Sequence, residues 1–205
     1  MKIEVENLGK KYAKEWIFRK LDMHFDSQFS YAITGPNGSG KSTLLQILTG
    51  VFLPTEGKIS YSNNDKNIPE EDFYKHLDIV TPYLELIEEF TLDEFLRFHF
   101  KFKQLAEGVT IDSFLEHVYL EKDRDKHLQN FSSGMKQRLK LGLAFYSQSP
   151  ICFLDEPTSN LDEQGTAWYL THVKKALEKK LVIISSNQKY EYDFCDQVVN
   201  IPDFK

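Results

Sequence analysis

The chain has 205 residues, of which 41% are hydrophobic. That is enough for a full hydrophobic core and argues against disorder. A formal net charge of −6 leaves no basic footprint, so nucleic acid is not expected as a partner. The N-terminus MKIEVENLGKKY alternates too much for a signal peptide, and no apolar run reaches the length of a membrane span, about 18 residues. Cys152 and Cys195 stand alone, as buried small hydrophobes do in a reducing compartment, and support no zinc site.

Strand signals come first. KIEVEN and LDMHF alternate, and SYAIT is a short, partly apolar run leading into a glycine-rich loop at Gly35. KSTLLQILTG reads as a helix ending at Gly50 and GKISYS as a further strand. NNDKN before Pro69 reads as a loop, and LDIV as a short strand running to Pro82. The middle changes character. Thr91 and Glu94 stand at capping-box spacing, which predicts a helix opening at Thr91 in TLDEFLRFHFKFKQLAEG; its tail, FHFKFK, alternates like a strand as well. IDSFLEHVYLEKDRD reads as a second helix and MKQRLKLGLAF as a third, so residues from about 70 to 148 look mainly helical. Strand and helix then alternate again as ICFLD, GTAWYLTHVKKALEKK, LVIISS and QVVNI. Continuous apolar runs mark parallel strands buried on both faces, so the reading is an α/β core with a helical insertion.

Gly35, Pro36, Asn37, Gly38, Ser39, Gly40, Lys41, Ser42 and Thr43 spell GPNGSGKST, a GxxxxGK[ST] loop between a strand and a helix. Its glycines let backbone N–H groups turn inward around a β-phosphate. Lys41 carries charge to the β- and γ-phosphates, the Ser42 hydroxyl ligates Mg²⁺, and the helix start adds a favourable dipole. The loop predicts nucleotide binding. Beside such a loop, Asp155 at the end of ICFLD is read as holding Mg²⁺, usually through water, and Glu156 as the general base on the attacking water. A second anion-ready stretch lies far downstream. In NFSSGMKQR, Ser132, Ser133 and Gly134 open a predicted helix, and helix N-termini attract phosphate.

With GPNGSGKST, then FSSGM followed by KQR, then CFLDEPTSNLD in that order, the sequence resembles the ATP-binding-cassette (ABC) family over nearly its whole length. The match is specifically to the nucleotide-binding subunit of a membrane transporter. The resemblance implies one ABC ATPase domain over residues 1–205: a P-loop NTPase α/β core with a mixed sheet, an N-terminal antiparallel β-subdomain, and a helical subdomain inserted at approximately 84–148. It implies a head-to-tail dimer of like or unlike cassettes with two ATPs between the subunits. The signature loop of one subunit, here Ser132, Ser133, Gly134 and Met135, then closes on the γ-phosphate held by the other subunit's phosphate loop. Phe131, Ser133 and Met135 depart from the commonest letters, LSGGQ. Asp162, in SNLD, matches the loop that contacts the opposite site, and Tyr12 falls where the family places an aromatic ring against adenine. Packing of Tyr12 in the core is the other reading. The implied reaction is hydrolysis of ATP with Mg²⁺ as cofactor, Lys41 and Glu156 catalytic and Ser42 and Asp155 on the metal. The implied partner is a transmembrane permease subunit, which places the chain in the cytoplasm on the inner face of the cell membrane.

Two positions depart from the family pattern. Tyr83 stands where a glutamine usually follows the strand of LDIVTP, and Glu85 is the nearby oxygen available as a substitute. Asn187, in IISSNQ, stands where a histidine usually meets the γ-phosphate; asparagine donates a hydrogen bond but carries no proton or positive charge. Both keep an alternative open: a non-transport or hydrolysis-impaired ABC ATPase acting as an ATP-dependent binding subunit. The sequence stops soon after the last core strand, which points toward a minimal exporter subunit. The aromatic run FLRFHFKF lies near where the family receives its membrane subunit, and is open to reading as a docking surface or as core packing.

Overall fold

The computed structural model describes all residues, 1–205. Its first unit is an antiparallel sheet in the order β2-β1-β4-β5, built from β1 (Lys2–Tyr12), β2 (Glu15–Asp26), β4 (Glu56–Asn63) and β5 (Lys66–Ile68). Ile3, Val5 and Leu8 of β1 and Phe18, Leu21 and Phe25 of β2 are buried. β2 is much longer than LDMHF suggests. Register shifts after Val5 and Leu8, with left-handed backbone at Asn7 and Lys20, break the alternation that would have shown the rest. The loop expected at NNDKN is a hairpin. Asn64 and Asp65 adopt φ of 48° and 59°, a primed two-residue turn that pairs Asn63 with Lys66. Asn and Asp tolerate that backbone, so letters that read as loop encode a strand connection.

The second unit is a parallel sheet in the order β6-β7-β8-β3-β9, made of β3 (Tyr31–Thr34), β6 (Leu77–Val80), β7 (Ile151–Asp155), β8 (Leu181–Ser185) and β9 (Gln197–Asn200). Every residue of β7 and β8 is buried, as their continuous apolar runs predict. Successive side chains face opposite sides. Ile151, Phe153, Leu181 and Ile183 pack toward the antiparallel sheet and α1 (Lys41–Leu48). Cys152, Leu154, Val182 and Ile184 pack toward the remaining helices. Each fully buried Leu or Ile there contributes about 1.5–3 kcal/mol by leaving water. The parallel sheet is thus the middle layer, and the carboxyl ends of its strands set out the site.

The helices on the far side are α2 (Leu92–His99), α3 (Ile111–His117), α4 (Ser133–Phe145) and α5 (Glu163–Leu177). The capping box is present: Glu94 N donates to Thr91 Oγ1 at 3.3 Å, and Thr91 N donates to Glu94 Oε2 at 2.8 Å. α2 nevertheless stops at His99, and the remaining FKFK of that tail continues as turn rather than as helix or strand. Lys103 ties that tail down by donating to Leu77 O at 2.6 Å and Tyr74 O at 3.0 Å, contacts made across the fold that outweigh local propensity. α3 is shorter than expected too. Tyr119 takes φ of 57°, and a 3₁₀ turn over Glu121–Asp123 follows. The stretch from about 70 to 148 also contains strand β6 and a 3₁₀ turn at Glu70–His76, so it is less helical than its sequence suggests.

Candidate functional site

β3 runs into the glycine-rich loop, which opens α1. Gly35, Gly38 and Gly40 all have positive φ, at 141°, 77° and 109°. Gly40 also passes so close to β2 that an added Cβ would sit 2.2 Å from Ile17 Cγ2. Lys41 folds back over the loop and donates from Nζ to Gly35 O at 3.0 Å and Pro36 O at 3.5 Å. Ser39 Oγ is buried inside the loop without a partner, which suits an anion-binding cradle. The loop opens on a concavity of about 450 Å³ lined by Ile17, Asn37, Gly38, Gly40, Lys41, Ser42, Thr43, Tyr83 and Glu156.

One strand, β8, separates β3 from β7, whose end carries the carboxylates. Asp155 is buried, and Ser185 Oγ donates to its Oδ1 at 2.7 Å. Glu156 has φ of 45° and donates its amide to Ser185 O at 2.8 Å. Left-handed backbone at a non-glycine residue is strained, and here it sits at the wall of the concavity. Ser42, exposed in the concavity, and Asp155 offer hard oxygen ligands of the type Mg²⁺ takes. No three His, Cys, Asp or Glu side chains cluster for a metal, so the donor set fits a cation whose shell is completed by phosphate oxygens and water.

The second anion-ready stretch lies elsewhere. Ser132 caps α4, accepting from Met135 N at 3.2 Å, while Ser132 and Ser133 are exposed. A Cβ on Gly134 would lie 3.2 Å from Asn160 O, so the start of α4 packs on the loop after β7. Gln137 strengthens that contact, donating from Nε2 to Pro157 O at 2.8 Å. None of Ser132, Ser133, Gly134 or Met135 lines the phosphate-loop concavity. Asp162 is the N-cap of α5, accepting from Gly165 N at 2.7 Å.

Tyr12, at the end of β1, is half exposed, with Lys10 Nζ 5.1 Å from its ring centre. That rules out core packing, although the ring stands outside the concavity lining. Tyr83 is 87% exposed and does line the concavity. Glu85 does not. It lines a separate groove of about 270 Å³ with Leu86, Ile87, Phe95, Phe98, Phe102 and Lys140. The aromatic run splits accordingly: Phe95 is buried, while Phe98 and Phe102 are exposed on the groove. Asn187 reaches the phosphate loop and donates from Nδ2 to Asn37 Oδ1 at 3.0 Å.

The sequence reading missed Ile17, Lys140, Thr158, Ser186 and Glu191. Lys140 donates to Thr81 O and Leu84 O, each at 3.3 Å, and so grips the segment carrying Tyr83. Burial, with some repulsion from Lys136, pushes its ammonium below the ordinary lysine value. The signal available was a lysine among the apolar residues of α4.

Residues 18–159 match the family model for the ABC transporter. The chain is 33% identical over 198 residues to YybJ of Bacillus subtilis, an uncharacterized ABC transporter ATP-binding protein, across 95% of this chain and 89% of that one. It is 30% identical over 210 residues to a probable ABC transporter ATP-binding/permease protein of Haemophilus influenzae, across 98% of this chain and 38% of that one. It is 29% identical over 202 residues to LnrL of Bacillus subtilis, a linearmycin resistance ATP-binding protein, across 96% and 65%. Among solved structures, it superposes with a TM-score of 0.81 at 20% identity on a dimeric, post-hydrolysis ATP-binding cassette, MJ0796, bound to ADP and Pi, across 97% and 93% of the two chains.

Proposed function

The chain belongs to the ABC transporter family, as an ATP-binding and ATP-hydrolysing component, and on that premise we propose that it couples Mg²⁺–ATP-driven dimerisation and hydrolysis to export by a separate transmembrane subunit. One observation carries the proposal. A single chain holds a phosphate loop and a second, serine-capped helix start that does not face it. Ser132, Ser133, Gly134 and Met135 therefore serve the phosphate of another cassette, and a two-fold axis completes both sites at once.

In each site the amides of Gly35–Thr43 and the Lys41 ammonium hold charge on the β- and γ-phosphates. Ser42 and Asp155 would hold Mg²⁺, which supplies charge neutralisation at the phosphates. Glu156 accepts the proton of the attacking water. Asn187 donates a hydrogen bond from the phosphate-loop side, Asp162 faces the opposite subunit and Tyr12 stacks on adenine. The dimeric ADP- and Pi-bound cassette that this fold superposes on supports the assembly.

No helix here is long and apolar enough to cross a membrane. YybJ is close to this chain's length, whereas the Haemophilus influenzae relative combines ATP-binding and permease functions in its name, which supports a permease as the partner. The groove beside α2, with exposed Phe98 and Phe102, is where such a partner docks, on the cytoplasmic side of the membrane. Resistance in the name of LnrL supports the export direction.

The test is Glu156→Gln in light scattering. With ATP and Mg²⁺, the mass rises from 24.0 kDa to about twice that and returns when ATP is removed. A monomer that still binds ATP would sink the homodimer and leave an unlike cassette as the partner. Phe98→Glu with Phe102→Glu is expected to release the chain from membranes without changing its ATP affinity. Retention on membranes would refute the groove.

A further inference from the structure

One carboxylate joins the loops that follow β7 and β8. Glu191 is 2% exposed, yet every partner of its carboxylate is uncharged. Oε1 accepts from the Thr158 amide at 2.9 Å and from the Thr158 hydroxyl, and Oε2 accepts from the Ser186 hydroxyl. Burying a carboxylate without a cation is costly, and it persists where the surrounding donors are fixed. Those donors are themselves held. The Tyr190 hydroxyl bonds Thr158 Oγ1 at 3.0 Å, Gln188 N donates to Ser186 Oγ at 2.8 Å, and the Tyr169 hydroxyl donates to Glu191 O at 3.0 Å.

Thr158 lies just beyond Glu156, and Ser186 immediately precedes Asn187, which bonds the phosphate loop through Asn37. The β7 loop is also the one that Gln137 holds against α4. Glu191 itself does not line the concavity. It clamps, from behind, the loop whose Glu156 does and the loop whose Asn187 bonds the phosphate loop.

We infer that Glu191 is a positioning residue for hydrolysis, whose buried carboxylate holds the Glu156 loop and the Asn187 loop in fixed register so that both side chains face the same phosphate. The inference rests on the role proposed for Glu156. Alanine at 191 would strand the donors of Thr158 and Ser186 in the interior. Glutamine keeps an acceptor for Thr158 and turns the Ser186 contact round, so it preserves most of the register.

The experiment compares steady-state phosphate release with equilibrium binding of a fluorescent ATP analogue. It uses the full chain as parent, Glu156→Gln, Glu191→Ala, Glu191→Gln and Thr158→Val. Glu191→Ala is expected to lower kcat roughly 30-fold, within the roughly 100-fold that a misplacement of about 1 Å can produce, while Kd changes by less than about threefold. Glu191→Gln recovers most of that loss. A Kd that rises as kcat falls in Glu191→Ala, or no recovery in Glu191→Gln, would mark a merely structural role and overturn the inference. If Glu191→Ala does not fold, Thr158→Val decides. A drop in kcat of about threefold at unchanged Kd supports the clamp, and parental kcat overturns it. A parental rate in Glu156→Gln removes the base assignment and this inference with it. An inactive Glu156→Gln beside parental Glu191 variants removes only the inference.

Discussion

Asn187 Nδ2 donates to Asn37 Oδ1 at 3.0 Å, fastening the loop after β8 to the phosphate loop across 150 positions of chain. The bond places an uncharged donor where the family resemblance leads one to look for histidine. A neutral hydrogen bond is worth about 1 kcal/mol, or roughly fivefold in rate. Asn187→Ala is therefore expected to lower kcat about fivefold with KM nearly unchanged, read from steady-state phosphate release. A loss confined to KM would show that the bond serves binding instead.

Gly40 is required for two separate reasons: its φ of 109° and the 2.2 Å approach that a Cβ would make to Ile17 Cγ2. Gly40→Ala should weaken ATP binding at least about fivefold, since forced repacking of this kind costs about 1–3 kcal/mol. Ile17→Ala in the same chain relieves the clash but not the backbone strain, so calorimetry should show partial recovery. Full recovery would mean that the left-handed backbone contributes nothing.

Gly142, inside α4, lies against α3: an added Cβ would be 2.3 Å from Val118 Cγ1 and 3.3 Å from Phe114 Cε2. Alanine in a helix interior is ordinarily better than glycine by about 1 kcal/mol. Here the overlap reverses the sign, and Gly142→Ala is expected to destabilise by about 1–2 kcal/mol in urea unfolding. Adding Val118→Ala should return part of the loss. A stabilised Gly142→Ala would show that α3 yields to the methyl group without strain.

Asp196 holds the starts of β3 and β9 together. Its Oδ2 accepts from the Ser30 hydroxyl at 2.7 Å and the Ser30 amide at 2.8 Å. Those bonds, the hydroxyl first, set its carboxyl below the ordinary value of 3.8. The folded value lies below the unfolded one, so its stabilising contribution is complete above pH 3.8 and fades as pH falls through the lowered value. The gap in urea midpoint between the parent and Asp196→Asn should be constant above that pH and shrink below it. A gap that stays constant throughout acid titration would refute the linkage.

The phosphate loop, the carboxylates at the end of β7 and the serine cap of α4 were legible from sequence, because each depends on neighbouring letters. A loop that wraps phosphate needs glycine at fixed spacing, and a cap needs a hydroxyl at the helix start. The continuous apolar runs of β7 and β8 likewise announced strands buried on both faces. Less was legible where tertiary contacts overrode local pattern, as at FHFKFK, which Lys103 fastens to Tyr74 and Leu77. The hairpin at Asn64 and Asp65 lay hidden behind turn residues that also serve ordinary loops. The pairings around the site belong to the fold alone. Strand order brings the β7 and β8 loops side by side, so that Glu191 meets Thr158 and Ser186, Asn187 meets Asn37, and Tyr83 rather than Glu85 lines the concavity. Sequence by itself determined which chemistry the chain carries, since that chemistry is written in contiguous residues. Only the tertiary structure decided which distant side chains hold it in register, because those contacts come from the packing of strands far apart along the chain.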